Sequence, residues 1–348
     1  MLHLLRQSAQ IARWFFIVAL FLLLTACGTA TPTMTDAPTS TIAEATNPPT
    51  LTPEPTLPPA SVILVSDAGA SASDLLNIET RLTALAAQQN MTLIKNEALS
   101  ASDITEQVKI VVWVGLANGI TELAAGAPQV QFVAITSAEI EPSSNLSIIR
   151  VQPENAVFIA GYLSTLIAPD WRGAALLPSD GPLGDQAQVV FTNGGRFFCG
   201  RCAPAYAPVV LFPVSAALPA GSPASAWQTA FDELNKNIIE VVYVSDAAAS
   251  PELFSTLTDM GLTLLGSQPP SPEWSENWAA TVSVDGSPLL DALWPDLVAG
   301  KGGQLLTAPV VLSNINPEKL TPGRQALAEQ MIADLQAGLI EPFSVPAE

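Results

Sequence analysis

The chain has 348 residues, with 32 acidic against 13 basic side chains, a formal charge of −19 and one histidine. Such a surplus of negative charge repels nucleic acid and anionic headgroups, which excludes a nucleic-acid partner. The histidine is His3, at the very start of the chain, so Ser-His-Asp or Cys-His catalysis and a histidine-ligated metal are excluded as well.

Residues 1–13 carry Arg6 and Arg13 and no acid; Trp14 to Leu24 is an unbroken apolar run, followed by Thr25-Ala26-Cys27. A basic start, a short apolar stretch and small residues before a break predict a secretory signal over residues 1–27. The run is shorter than the roughly 20 residues a transmembrane helix needs. Leu24-Thr25-Ala26-Cys27 resembles the lipobox of bacterial lipoproteins, which implies lipidation of Cys27 by fatty acyl chains such as palmitate. That places the chain on the cell membrane, facing outside the cytoplasm. An uncleaved anchor in which Cys27 is incidental is the alternative.

Residues 28–60 hold ten Thr and eight Pro and little that could build a core. Such a segment prefers extended polyproline II and cannot offset its ordering entropy, so a disordered tether about 30 Å in span is expected.

From Ser61 the pattern changes. Short β-branched or aliphatic runs predict strands at residues 61–66, 91–94, 109–114, 131–135, 148–149, 173–177, 209–212, 238–244 and 262–265. Amphipathic stretches predict helices over residues 73–89, 154–167, 224–234 and 324–339. Continuous apolar strands alternating with helices mean parallel sheets covered on both faces. The strands are too many for one doubly wound sheet, so the fold class expected is α/β with two doubly wound parallel-sheet lobes and a hinged cleft. Lobe 1 is expected to take residues 61–150 and about 275–306, and lobe 2 residues 151–274 and about 307–343.

Ligands of open α/β sheets sit beyond the carboxyl ends of the strands. The residues there are Asp67, Gly115 to Asn118, Thr136, Pro178 to Gly181, Asp246 and Ser267. Asp67 and Asp246 have a second reading, as caps accepting from the N–H groups of the following helices.

Cys199 and Cys202 form a C-G-R-C pair. A structural disulfide between them is expected outside the cytoplasm, with two reduced thiols or a redox pair as the alternatives, while zinc lacks two further ligands. No phosphate loop is present, since Gly300-Lys301-Gly302-Gly303 has neither the spacing nor the hydroxyl. No carboxylate pair stands out in an apolar setting, so neither an enzyme nor a cofactor or metal is expected.

Three segments carry a resemblance. Val112-Trp-Val-Gly115 with Ala127-Pro128 and Phe132-Val-Ala-Ile135, then Pro153-Glu-Asn-Ala-Val-Phe-Ile-Ala-Gly-Tyr-Leu163, then Phe191-Thr-Asn-Gly-Gly195 follow in order along the chain. Together they resemble the basic membrane protein family of substrate-binding lipoproteins, whose members include purine nucleoside receptors of ABC importers. The resemblance implies a type I periplasmic-binding-protein fold, a small-molecule ligand such as a nucleoside, and an ABC permease as partner. It also implies ligand contacts from the loop Ser66 to Asn77, in which Asp67, Gly69 and Asn77 keep the family's residues. Ser73 stands where the family has an aspartate, Leu76 where an aromatic would stack on the base, and Thr136 at an acidic position. Trp274 and Trp278 are alternative stacking groups, with core packing as their other reading. The function expected is solute capture by lobe closure for an ABC importer; a sensing receptor subunit is the alternative.

Overall fold

The computed structural model describes residues 59–67 and 70–344. The predicted signal, Cys27 and the tether as far as residue 58 lie outside the described residues, as does Gly69. The chain runs β1 (Ser61–Ser66), α1 (Ala72–Gln88), β2 (Thr92–Asn96), β3 (Val108–Val114), α2 (Ile120–Gly126), β4 (Gln131–Thr136) and β5 (Leu146–Arg150). It continues through α3 (Pro153–Ile167), β6 (Gly173–Pro178), α4 (Gln186–Cys199), β7 (Val214–Leu218), α5 (Ala224–Asn235), β8 (Val241–Val244), α6 (Pro251–Asp259) and β9 (Thr263–Gly266). The last elements are β10 (Trp278–Val284), α7 (Ser287–Val298), β11 (Leu305–Thr307), β12 (Val310–Ser313) and α8 (Pro322–Gln336).

Two six-stranded sheets result, in the orders β11-β5-β4-β3-β1-β2 and β12-β10-β9-β8-β6-β7. All pairings are parallel except that of β10 with β12. The chain passes between the sheets three times: at β5 to β6, at β10 to β11 and at β11 to β12. Strands such as β4 are buried along their whole length, because helices cover both faces of each sheet.

Helix α3 joins the lobes and is apolar almost all round, so it is enclosed rather than laid on a surface. Its backbone meets that of α4 through two glycines. A Cβ on Gly161 would lie 1.9 Å from the Phe191 carbonyl oxygen, and one on Gly194 would lie 1.9 Å from that of Phe158. Asn193 beside them is buried and donates from Nδ2 to the Pro342 carbonyl at 2.9 Å, holding the C-terminal segment. The Gly161 and Asn-Gly-Gly segments that carry the resemblance therefore describe a helix crossing.

Three expectations need correction. Residues 209–212 form no strand. Pro208 and Pro213 flank them, Val209 and Leu211 are exposed, and the strand begins at Val214. The predicted strand at 238–244 starts at Val241, because Ile238 has a positive φ and is exposed. The boundary near residue 275 also moves: β10 pairs with β9 in the second sheet, so the return to lobe 1 comes after Val284.

Candidate functional site

The carboxyl ends of both sheets converge on one cleft. A cavity of about 440 Å³ lies between the lobes, with Ala70, Ser71 and Asp74 on one side and Tyr243, Ser245, Asp246, Ser267 and Gln268 on the other. A second cavity of about 200 Å³ adjoins it, shares Ala70 and Asp74, and reaches Gly115, Thr136 and Asp285 in lobe 1. Strand ends position nearly every polar group. Ser245 and Asp246 follow β8, Ser267 follows β9, and Asp285 follows β10.

Asp67 lines neither cavity. Its carboxylate accepts from Trp113 Nε1 at 2.8 Å, from the Leu116 amide at 2.6 Å and from the Ala117 amide at 2.9 Å. It therefore ties the end of β1 to the turn after β3. Nor does it cap α1, whose N-cap is Ser71, accepting from the Asp74 amide at 3.1 Å. The capping reading of Asp67 gives way to a structural clamp, set outside the linings of both cavities.

The remaining expected residues divide. Asp246 lines the main cavity and caps no α-helix; Gln268 Nε2 donates to its Oδ1, and the N-cap of α6 is Ser250. Gly115 and Thr136 line the adjoining cavity, where Thr136 Oγ1 accepts from the Ala138 amide at 3.0 Å. Asn77 is exposed and lines a separate outer cavity of about 430 Å³ with Arg81 and Asp291. Leu76 is 64% exposed, so its place offers no platform within the cleft. The side chain of Ser73 lies outside the described residues, but Asp74 beside it brings a carboxylate into the cleft. Trp278 is buried, Trp274 packs on Phe254 at 4.8 Å, and Phe254 lies 5.8 Å from Trp278. They belong to the core beneath a side cavity of about 220 Å³. Cys199 and Cys202 are joined in a disulfide at the end of α4, with Cα atoms 5.2 Å apart.

Sequence reasoning missed Asp74, Tyr243, Ser245, Gln268 and Asp285. The end of β8 at Val244 is as expected, and the strand-end rule took Asp246 there while passing over the adjacent Ser245; Asp285 would have been found had β10 been recognised. Burial pushes the Asp74 carboxyl above its usual range; the Ser71 hydrogen bond offsets part of this, and the charges of Asp285 and Asp246 add to it. Burial raises Asp246 in the same way. The fully enclosed Tyr243 phenol is pushed up to about 12, mainly by burial, with Ser267 alongside opposing and Asp246 reinforcing the shift. It stays protonated at any physiological pH. Among the described residues no group of three or more His, Cys, Asp or Glu is placed to hold a metal ion.

No family model matches the sequence, and comparison with curated proteins finds no match. Solved structures do resemble the chain. An ABC transporter solute-binding protein from Conexibacter woesei superposes with a TM-score of 0.63 at 15% identity, over 81% of this chain and 98% of that one. One from Aeropyrum pernix gives 0.61 at 14% identity, over 83% and 94%. A transcriptional activator of the comK gene from Bacillus halodurans gives 0.59 at 13% identity, over 83% and 100%. The fold is that of the type I periplasmic-binding proteins. At these identities the likeness establishes architecture alone.

Proposed function

We propose that the chain is an extracytoplasmic solute-binding lipoprotein that captures a small molecule between its lobes and delivers it to an ABC permease. The observation that carries this reading is the cavity of about 440 Å³ between the two sets of strand ends. Cavities of this size suit small ligands, and this fold places ligands at strand ends. The three connections between the lobes supply a hinge, so closure would bury the solute and present both lobes to the permease. Lipidation of Cys27 would hold the chain at the membrane, and mass spectrometry of membrane-extracted protein tests it: an unmodified Cys27 refutes the anchor. The family resemblance nominates a nucleoside as the solute. Calorimetry with adenosine, inosine and their bases tests that nomination; silence at millimolar concentration removes the nucleoside and leaves solute binding standing.

The second reading is a sensing subunit, whose liganded state a partner reads. It is favoured by the similarity of the fold to a transcriptional activator. Capture of a permease by the liganded chain supports transport, and capture of a receptor or kinase supports sensing.

A further inference from the structure

The walls of the cleft narrow the solute further, on the reading that the cleft binds one. Most of the lining is aliphatic, from residues such as Val151, Val157, Leu177, Leu183 and Val282. The charged groups are all of one sign. Asp74 and Asp246 line the main cavity, Asp285 lines the adjoining one, and among the described residues neither cavity has a Lys, Arg or His in its wall. Asp74 is close enough to the other two carboxylates to feel both charges. Like charges gathered in a partly dehydrated site destabilise one another unless a counter-charge enters.

A second, independent feature points to a ligand. Ser245 is only 7% exposed and lines the cavity, and its Oγ has no hydrogen-bond partner within the protein. Buried hydroxyls are normally paired, and one left over at a cavity wall is a place for a solute atom.

An anionic solute would meet three carboxylates and no cationic side chain. A polyol would find acceptors but would have to lay its remaining hydroxyls against aliphatic walls. We infer that the cleft selects an organic cation, a protonated amine or quaternary ammonium carried on a compact apolar body. The charged head sits between the Asp74 and Asp246 carboxylates, Asp285 adds to the field from the adjoining cavity, and the body fills the aliphatic part.

Calorimetry on the full chain in detergent tests this with pairs matched in shape and differing in charge: benzylamine against benzyl alcohol, and choline against 3,3-dimethylbutanol, with adenosine and glucose as neutral solutes. The expected result is an ammonium compound binding at least about tenfold more tightly than its neutral counterpart, the margin of a charged over a neutral hydrogen bond. Asp74→Asn and Asp246→Asn should each remove roughly that margin, and Ser245→Ala should weaken binding while leaving the margin in place. Circular dichroism melts of the variants separate lost affinity from lost folding. Equal binding of charged and neutral partners overturns the inference, as does binding of adenosine or glucose alone, and both outcomes leave solute binding intact. Silence from all six probes also overturns it, and a wider screen of bases, sugars and amino acids then decides solute binding separately.

Discussion

The Asp67 carboxylate accepts the Trp113 indole N–H at 2.8 Å, which links the end of β1 to the end of β3. With the Leu116 and Ala117 amides it gathers three donors at the rim of lobe 1. Removing it leaves those donors unpaired in a half-buried setting. Asp67→Ala should lower stability by about 1–3 kcal/mol and leave solute affinity unchanged. Chemical denaturation and calorimetry on the same pair of proteins check this; weaker binding at unchanged stability would show that the carboxylate serves the solute.

The crossing of α3 and α4 predicts a cost for a single methyl. Gly161→Ala and Gly194→Ala each place a Cβ where a carbonyl oxygen of the facing helix already sits. Forcing the helices apart should cost about 1–3 kcal/mol or more. Gly126 gives the contrast: it ends α2 with nothing within 4 Å of its would-be Cβ. Gly126→Ala should be neutral or stabilising by up to about 1 kcal/mol. Urea titrations of the three variants suffice, and equal midpoints would contradict the close crossing.

Much of this architecture was legible because parallel strands covered on both faces are continuous apolar runs, as in Val62 to Val65 and Val111 to Val114. Strands β10 and β11 escaped notice because they lack that signature, whereas β12 carries it in Val310 to Leu312 and was passed over. Trp278–Val284 mixes small and polar residues, and β11 has only three residues, two of them exposed. The run Val209 to Phe212 misled for the opposite reason, being apolar yet flanked by prolines, with Val209 and Leu211 exposed. Within the site, the strand-end rule reached Asp246, Ser267 and Thr136. It missed Asp285 because β10 was not recognised. Asp74 was passed over because it lies one position beyond the aspartate expected from the resemblance. The Gly161 and Gly194 segments were informative about packing and silent about the solute.

The cleft carboxylates give the free protein a pH dependence of definite sign. Burial holds Asp74 and Asp246 above the ordinary carboxylate value, and the neighbouring Asp285 reinforces this for Asp74. The folded state thus holds these protons more tightly than the unfolded chain. Their contribution favours folding below the unfolded carboxylate pKa and is lost as pH rises through the raised folded value. The facing groups are acidic except for Tyr243, which stays neutral throughout. Thermal melts of the free chain from about pH 4 to 7, compared with Asp74→Asn, isolate the effect. The variant should gain relative to the parent as pH rises; a constant difference would mean that Asp74 titrates normally.

The disulfide between Cys199 and Cys202 closes a very small loop. Chain-entropy reasoning gives it about 2 kcal/mol. The double change to serine should lower stability by no more than this and leave solute binding in place, since neither cysteine lines the cleft. Thiol labelling of the denatured, unreduced protein should find neither residue free.

The most direct test of solute capture between the lobes is a thermal-shift screen of the full chain beside a variant with a blocked cleft. Ala70 lines both cavities, so Ala70→Trp fills the space where they meet. A solute present at about a hundred times its dissociation constant adds roughly 2.7 kcal/mol of stability. The account predicts that at least one amine, nucleoside, sugar or amino acid raises the melting temperature of the parent by several degrees and leaves that of the variant unmoved. No shift with any solute at millimolar concentration, or the same shift in both proteins, would contradict it.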